Sequence, residues 1–206
     1  MASADLASRF DMPMGRETVI SMRRQRLVAG FAIMLCLACG LGLWAHAASA
    51  QELRIGVLQH DTEIGQQRTE PGTDINLEWV GPVYSLPPAM QLYPGFGLHP
   101  EVGYSGNFGG ARTEEIYAAM GFDLLPGKSW ELRVSLGLAA HNGQLDRDDK
   151  NRLALGQRVL LYASFEAGYW WHDNGLFVFF QHSSNGPMGG PNDGINNLGV
   201  RYGYRF

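Results

Sequence analysis

The sequence predicts an all-β protein, a transmembrane antiparallel β-barrel of about eight strands. Three observations support this fold class. After residue 51, apolar and polar residues alternate with a period of two in one segment after another. No window of comparable length carries the apolar stripe of an amphipathic helix. The polar positions hold mostly Gly, Ser, Glu and Arg, which suit a narrow lumen with paired charges better than a water-facing sheet.

Two segments show the alternation most clearly. In WELRVSLGLAAH and RVLLYASFEAGYWW, one face of each strand is apolar. Those faces are Trp130, Leu132, Val134, Leu136, Leu138 and Ala140, and Val159, Leu161, Ala163, Phe165, Ala167, Tyr169 and Trp171. Weaker alternation occurs in ELRIGVL, INLEWV, LHPEVGYSG and EIYAAMGFDLL. GLFVFFQHS is apolar on both faces until Gln181, and the last strand alternates again from Leu198 to Phe206.

Periodicity alone does not separate a soluble barrel, whose apolar face is inside, from an outer-membrane barrel, whose apolar face meets lipid. The even strand number and the aromatic strand ends, such as Tyr169 to Trp171, favour the membrane form. Tight turns, PGKS and HDNG, follow the fourth and sixth strands, so we expect them on the periplasmic side and the long loops outside. The connection GPVYSLPPAMQLYPGFG after the second strand breaks this rule, and we expect it to pack at the rim.

The N-terminal region has the order of an export signal. From Met22, the basic MRRQR precedes the apolar LVAGFAIMLCLACGLGLW and the small residues AHAASA. We therefore expect three regions: a non-native extension over 1–21, with Met22 as the real start; a signal peptide over 22–50; and the barrel over 51–206. An uncleaved anchor helix and a lipoprotein signal ending at Cys39 are the alternatives. Both cysteines lie in the apolar run, so residues 51–206 contain no thiol.

The charge balance excludes some partners. Residues 51–206 carry 11 Lys and Arg against 17 Asp and Glu, with no basic run, so nucleic acid is not an expected partner. No cluster has the spacing of metal ligands, and we expect neither a metal nor another cofactor. The sequence gives no indication of the oligomeric state.

The segment QHSSNGPMGGPNDGINN carries the strongest candidate for chemistry. His182 and Ser184 are two residues apart on a predicted strand, so they share a face and could act as base and nucleophile. Their parity matches Leu176, Val178 and Phe180, which we expect to face lipid. Polar groups at membrane depth are costly unless they are hydrogen-bonded, which makes this pair a functional candidate. The alternative is that both residues mark the point where the strand leaves the membrane.

This stretch resembles the active-site signature of the outer-membrane lipid A 3-O-deacylases, a family also called acyloxyacyl hydrolases. The signature is His-x-Ser-Asn, a short loop with Gly, then Asn-x-Gly and an acidic residue before the final strand. His182, Ser184, Asn185, Asn192 and Gly194 match it. FEAGYWW, GLFVFFQH and the closing NNLGVRYGYRF are similar to the family's last strands, so the resemblance covers about 50 residues, Val159 to Phe206.

The resemblance implies a serine esterase that removes the acyl chain at the 3-position of lipid A, with lipopolysaccharide and outer-membrane lipids as partners. Ser184 would attack the acyl carbonyl after His182 takes its proton. Amides of the loop at Asn185 and Gly186 would hold the oxyanion, and Asn192 would fix that loop through its side chain. The alternative for Asn185, Gly186, Asn192 and Gly194 is ordinary turn chemistry.

One position departs from the family pattern, because Asn196 stands where the acidic member of the triad is expected. An amide oxygen can orient the His182 ring but supplies no negative charge to the imidazolium. Asp193, three residues earlier, is an alternative acid if the loop folds back. The rival functions are a catalytically impaired or non-enzymatic barrel with an envelope or adhesion role, and an acyl-transferring barrel.

The remaining titratable residues fall into three groups. We expect a salt-bridged plug on the lumen face, formed by His99, Glu101, Glu131, Arg133 and Glu166. We expect His60, His141 and His172 to be solvated near strand ends. The acidic run DRDD, Asp146 to Asp149, belongs to a predicted outer loop.

Overall fold

A computed structural model describes residues 51–62, 70–94, 96–107, 112–125 and 129–206. The expected extension over 1–21 and signal peptide over 22–50 lie outside the described residues, as does most of the predicted PGKS turn. Within the described part of the chain, no helix is long and apolar enough to cross a membrane.

The described residues form nine strands, of which eight close a barrel. The strands are β1 (Glu52–His60), β2 (Gly72–Val80), β3 (Tyr84–Ser85), β4 (Gly97–Gly106), β5 (Glu115–Asp123), β6 (Trp130–His141), β7 (Val159–Trp171), β8 (Asn174–Ser184) and β9 (Ile195–Arg205). All pairings between them are antiparallel, in the order β1-β2-β4-β5-β6-β7-β8-β9, and β9 returns to β1. The prediction of an eight-stranded antiparallel barrel is confirmed.

The barrel has its apolar side chains outside and its polar side chains inside. In β1, Leu53, Ile55 and Val57 are more than half exposed, whereas Glu52 and Arg54 are at most 2% exposed. The same inversion runs along β6 and β7, whose predicted apolar faces all point outward. Burying charges while exposing leucine and valine is the pattern of a barrel surrounded by lipid, which supports the membrane form.

Ion pairs fill the lumen. Arg133 contacts Asp123 at 2.7 Å and Glu101 at 3.6 Å. Arg201 pairs with Glu78 at 3.0 Å, and Arg54 pairs with Glu131 at 2.8 Å and also with Glu166. Charges buried in this way are stable only when they are paired. The predicted plug is confirmed, and His99 joins it through Asp123 at 2.8 Å.

Arginines also explain why β8 is apolar on both faces. Phe177 and Phe179 point into the lumen, where the Arg54 guanidinium lies 4.7 Å from the Phe177 ring and the Arg201 guanidinium lies 3.6 Å from the Phe179 ring. Such contacts combine a hydrophobic surface with a cation–π attraction. Residues of even number along β8 face lipid, as inferred, with Leu176 and Val178 more than half exposed.

The long connection after β2 packs at the rim, as expected. Its short strand β3 pairs with the first residues of β4, and the Phe96 side chain is buried. The Tyr93 hydroxyl donates a hydrogen bond to the backbone oxygen of Asp123 at 2.8 Å, next to the turn between β5 and β6. The connection therefore packs at the end of the barrel where the tight turns lie.

Two of the three histidines expected to be solvated are buried. His60 is fully buried, with Nδ1 2.6 Å from Asp74, and His141 is 8% exposed and bonded to the Gln157 carbonyl at 2.6 Å. The prediction was wrong for both because each lies on the lumen side of its strand and is hydrogen-bonded there, His60 by Asp74 of β2 and His141 by the backbone of Gln157. His172, in the turn after β7, is exposed as expected.

Candidate active site

His182 and Ser184 lie on the outer face of β8, near the end opposite the tight turns. Ser183 between them is fully buried and points to the lumen, as strand alternation requires. His182 is the direct cross-strand partner of Asn196 on β9 and of Ala163 on β7. Opposite residues of this kind bring their side chains into contact, so the pairing register assembles the group.

Ser184, His182 and Asn196 form a continuous hydrogen-bonded row. His182 Nε2 lies 3.0 Å from Ser184 Oγ, and His182 Nδ1 lies 2.7 Å from Asn196 Oδ1. An amide oxygen only accepts, so the geometry assigns the ring hydrogen to Nδ1 and leaves a lone pair on Nε2. This tautomer can take the proton of the Ser184 hydroxyl, which is the arrangement of a serine hydrolase.

Asn185 organises the loop that follows β8. Its side chain is fully buried, and its Nδ2 donates to the carbonyls of Leu155 at 3.1 Å, Gly189 at 3.2 Å and Pro191 at 2.7 Å. Its backbone N–H donates to Asn192 Oδ1 at 3.0 Å. The Asn185 amide is therefore engaged within the loop, in contrast to the expectation that it would point at an oxyanion.

Two glycines allow the turns on either side of this loop. Gly186 has φ of +53° and starts a 3₁₀ turn, and Gly194 has φ of +73° immediately before β9. Residues with a side chain rarely adopt this left-handed region. Gly186 is also exposed and follows Ser184 by two residues. Its own backbone N–H can therefore approach a group bound at Ser184.

Asp193 ties the β8–β9 loop to the long β6–β7 loop rather than to His182. Its Oδ1 accepts from Arg147 Nη2 at 2.9 Å, its Oδ2 accepts from the Ala154 N–H at 2.9 Å, and its own N–H donates to the Ala154 carbonyl at 3.1 Å. The alternative in which Asp193 replaces the triad acid is therefore wrong. Asn196 is the residue that contacts His182.

A small apolar cluster supports the same junction. It consists of Leu153, Leu155, Leu160 and Ile195, all fully buried. No role was predicted for the β6–β7 loop, although Leu153 and Leu155 in a mostly polar loop were a signal that this loop packs against other residues. The catalytic candidates thus sit beside a fixed scaffold of two loops.

The lipid-facing surface around the row is apolar, and one of its side chains is small. Leu161 lies opposite Ser184, and Phe180 and Leu198 lie below His182 on the same face. The small side chain of Ala163 stands beside His182, with Leu136 as its other neighbour. An extended apolar chain can therefore lie against the barrel with a carbonyl beside Ser184. The described residues contain no group of three or more His, Cys, Asp or Glu arranged to hold a metal ion.

Comparisons with known proteins bear on the family and the fold of this chain. The family model described as "Lipid A 3-O-deacylase (PagL)" matches residues 73–205. The crystal structure of the outer membrane enzyme PagL is similar, with 18% identity, 74% of this chain and 98% of that chain covered, and a TM-score of 0.53, a likeness that concerns the fold.

Two other solved barrels are less similar. A de novo designed transmembrane β-barrel has 14% identity and a TM-score of 0.45, with 78% of this chain and 98% of that chain covered. The Yersinia pestis outer membrane protein Ail has 14% identity and a TM-score of 0.43, with 77% and 99% covered. None of the curated protein sequences matches the chain significantly.

Proposed function

The chain belongs to the PagL family of lipid A 3-O-deacylases, and from this premise we propose that it is an outer-membrane esterase that removes the 3-O-linked acyl chain of lipid A. One observation carries the proposal: Ser184, His182 and Asn196 form a hydrogen-bonded row on the lipid-facing surface. A nucleophile in that position meets lipid esters rather than water-soluble substrates. Its partners are then lipid A, as part of lipopolysaccharide, and the surrounding lipids.

The depth of the row fits a substrate in the outer leaflet. The outward residues of β8 are apolar from Leu176 through Phe180 and become polar at His182 and Ser184. The polar pair therefore lies near the upper boundary of the apolar band, at the level where acyl chains join their headgroup. Lipid A carries its ester-linked chains at this boundary, so its ester groups can reach Ser184 without leaving the membrane.

The reaction follows from the tautomer of His182. Nε2 takes the proton from Ser184 Oγ as the oxygen attacks the acyl carbonyl, and then returns that proton to the sugar oxygen as the ester bond breaks. The acyl chain remains on Ser184 as an ester. Water then attacks this ester and loses a proton to Nε2, which passes it to Ser184 Oγ as the fatty acid is released. Asn196 keeps the ring oriented throughout and takes no proton.

The oxyanion needs a donor, and Gly186 is the residue we assign to it. The engaged amide of Asn185 leaves the backbone N–H of Gly186 as the next donor along the loop, beside Ser184. Asn185 and Asn192 then act as positioning residues, because their hydrogen bonds fix the turn from which that N–H projects.

The test is mass spectrometry of lipid A after incubation with the barrel refolded in detergent. We expect loss of one 3-linked hydroxyacyl chain and appearance of the corresponding free fatty acid. Lipid A from which the 3-O-linked chains have already been removed is the matched control and should lose nothing further. Release of a secondary chain, or no release by a folded barrel, would contradict the proposal.

The second candidate function is a non-enzymatic envelope or adhesion role on an intact scaffold. It is favoured by the amide at position 196, which supplies no charge to an imidazolium. The same mass spectra separate the candidates, since this role predicts unchanged lipid A. An acyl-transferring barrel, the third alternative, would add a chain instead of removing one.

Ala163 offers a test of where the substrate chain lies. Ala163→Phe is expected to lower kcat/KM about tenfold, because the larger ring occupies the lipid-facing surface beside His182 along which an acyl chain would lie. Ala118→Phe is the matched control, since Ala118 faces outward on β5, two strands away from β7. Equal effects of the two substitutions on the initial rate of fatty acid release would show that the chain does not pass Ala163.

Asp193 offers a test of the loop junction. Asp193→Ala removes an ion pair with Arg147 and a partly buried hydrogen bond from the Ala154 N–H, so we expect kcat to fall about tenfold and the melting temperature to drop by a few degrees. Asp148→Ala, an exposed substitution in the same pair of loops, should change neither. Full activity of Asp193→Ala would mean that the junction does not position Ser184.

A further inference from the structure

The residues that follow β1 are hydrogen-bonded to β9, the strand that carries Asn196. β1 and β9 pair as far as Gln59 and Leu198, which brings Asp61 beside Asn196. The Asp61 N–H donates to Asn197 Oδ1 at 2.9 Å, and the Thr62 N–H donates to the Asn196 carbonyl at 2.6 Å. Asp61 adopts φ of +49°, a conformation that non-glycine residues rarely take and that persists only where its surroundings hold it.

The Asp61 carboxyl is buried against the same peptide. Asp61 is 1% exposed, and its Oδ2 accepts a hydrogen bond from the Glu70 N–H at 2.7 Å. The backbone N–H of Asn196 faces this carboxyl as well. The Asp61 carboxylate therefore lies against the backbone of Asn196, the residue that orients His182. It takes no part in the proposed reaction steps.

We propose that Asp61 is a positioning residue of the active site: its carboxylate, acting through the peptide group of Asn196, supplies the negative charge that the Asn196 side chain lacks. This inference rests on the proposed function, because it assumes that His182 becomes an imidazolium during the reaction. The proton from Ser184 stays on Nε2 and the Nδ1 hydrogen stays bonded to Asn196. Asp61 takes no proton. Its field acts over a short distance in a poorly solvated region, where charges interact more strongly than in water.

Several charged or titratable groups lie around Asp61. They are His60 on β1, Glu70 in the connection before β2, Asp74 on β2, Arg152 in the β6–β7 loop and His182 on β8. His60 is bonded to Asp74, and Arg152 is bonded to Glu70 at 2.8 Å, so each nearby cation already faces another carboxylate. Among the described residues, Asp61 therefore makes no direct ion pair.

The protonation of Asp61 gives the inference a pH signature. Burial is the main cause that raises the pKa of the Asp61 carboxyl to about 6, against the opposing effect of the backbone N–H groups of Glu70 and Asn196. The carboxylate is therefore present at pH 8 and is lost as the pH falls through 6. Any contribution of its charge to the reaction should disappear in the same range.

The test is a double-mutant cycle with a probe of the serine itself. Asp61→Asn is made in the native chain and in Asn196→Asp, and labelling of Ser184 by a fluorophosphonate is timed beside lipid A hydrolysis. At pH 8 we expect Asp61→Asn to slow both reactions about tenfold in the native chain and less than twofold in Asn196→Asp, where a carboxylate already contacts His182. Asp148→Asn is the control for an exposed charge and should have no effect.

The outcomes separate a charge from a merely structural role. The ratio of native to Asp61→Asn labelling rates should fall from about 10 at pH 8 towards 1 at pH 5. A ratio independent of pH, an equal loss in both backgrounds, or no loss at all would overturn the inference. If labelling responds as expected but lipid A is not hydrolysed, the inference stands and the proposed substrate is wrong. A native chain that is folded but not labelled would overturn both.

Discussion

Replacing Ser184 by Ala is expected to lower kcat for lipid A deacylation by about 10⁴-fold or more. The Ser184 oxygen forms the acyl-enzyme, and in the described part of the chain no other hydroxyl is hydrogen-bonded to His182 Nε2. In serine hydrolases, removal of the nucleophile leaves only the acceleration due to substrate binding and the oxyanion donors. KM should change little, because the apolar surface around position 184 remains. The initial rate of fatty acid release measures this effect.

The neighbouring serine provides the matched control for that experiment. Ser183→Ala removes a hydroxyl one residue away that points into the lumen, so activity should stay within about threefold of the native level. His182→Gln should be as damaging as Ser184→Ala, since the two residues act as one unit. Similar activities for the Ser183 and Ser184 variants would remove Ser184 from the mechanism.

Asn196→Asp is expected to raise kcat about 100-fold. The substitution keeps the shape of the side chain and hence its 2.7 Å contact with His182 Nδ1, but it adds a charge that stabilises the imidazolium. The reverse change in a serine-protease triad costs about 10⁴ in turnover. We expect a smaller gain here because Asp61 already provides part of that charge. Steady-state kinetics at pH 8 measures the gain.

The same substitution should cost stability. Position 196 is 4% exposed, and a second carboxylate beside Asp61 adds repulsion, so the melting temperature should fall while the activity rises. A gain in activity together with a loss of stability is typical of a functional site whose charge is unfavourable for folding. A folded Asn196→Asp barrel with unchanged or lower kcat would show that the amide is not what limits the reaction.

Most of the fold is contained in the local alternation of the sequence. Glu131, Arg133 and Ser135 alternate with Leu132 and Val134, and that pattern fixes both the strand and its orientation in lipid. The burial of His60 and His141 was missed because their hydrogen-bond partners, Asp74 and the Gln157 backbone, come from other segments of the chain. Contacts between segments far apart in sequence leave no local periodic signal.

The site was accessible from the sequence only in part. The spacing of His182 and Ser184 places both on one face of a strand, which follows from the period of two. Their contact with Asn196 requires the register between β8 and β9, which the resemblance to a family suggested and the structure provides. The contacts of Asp193 with Ala154 and of Asp61 with Asn197 depend on loop packing and barrel closure, which no motif encodes.

The most direct test of the central claim compares lipid A mass spectra after incubation with three refolded barrels: the native chain, Ser184→Ala and Asn196→Asp. We predict loss of one 3-linked hydroxyacyl chain with the native chain, faster loss with Asn196→Asp and none with Ser184→Ala. Intact lipid A with all three folded barrels, or equal loss with and without the Ser184 hydroxyl, would contradict the account.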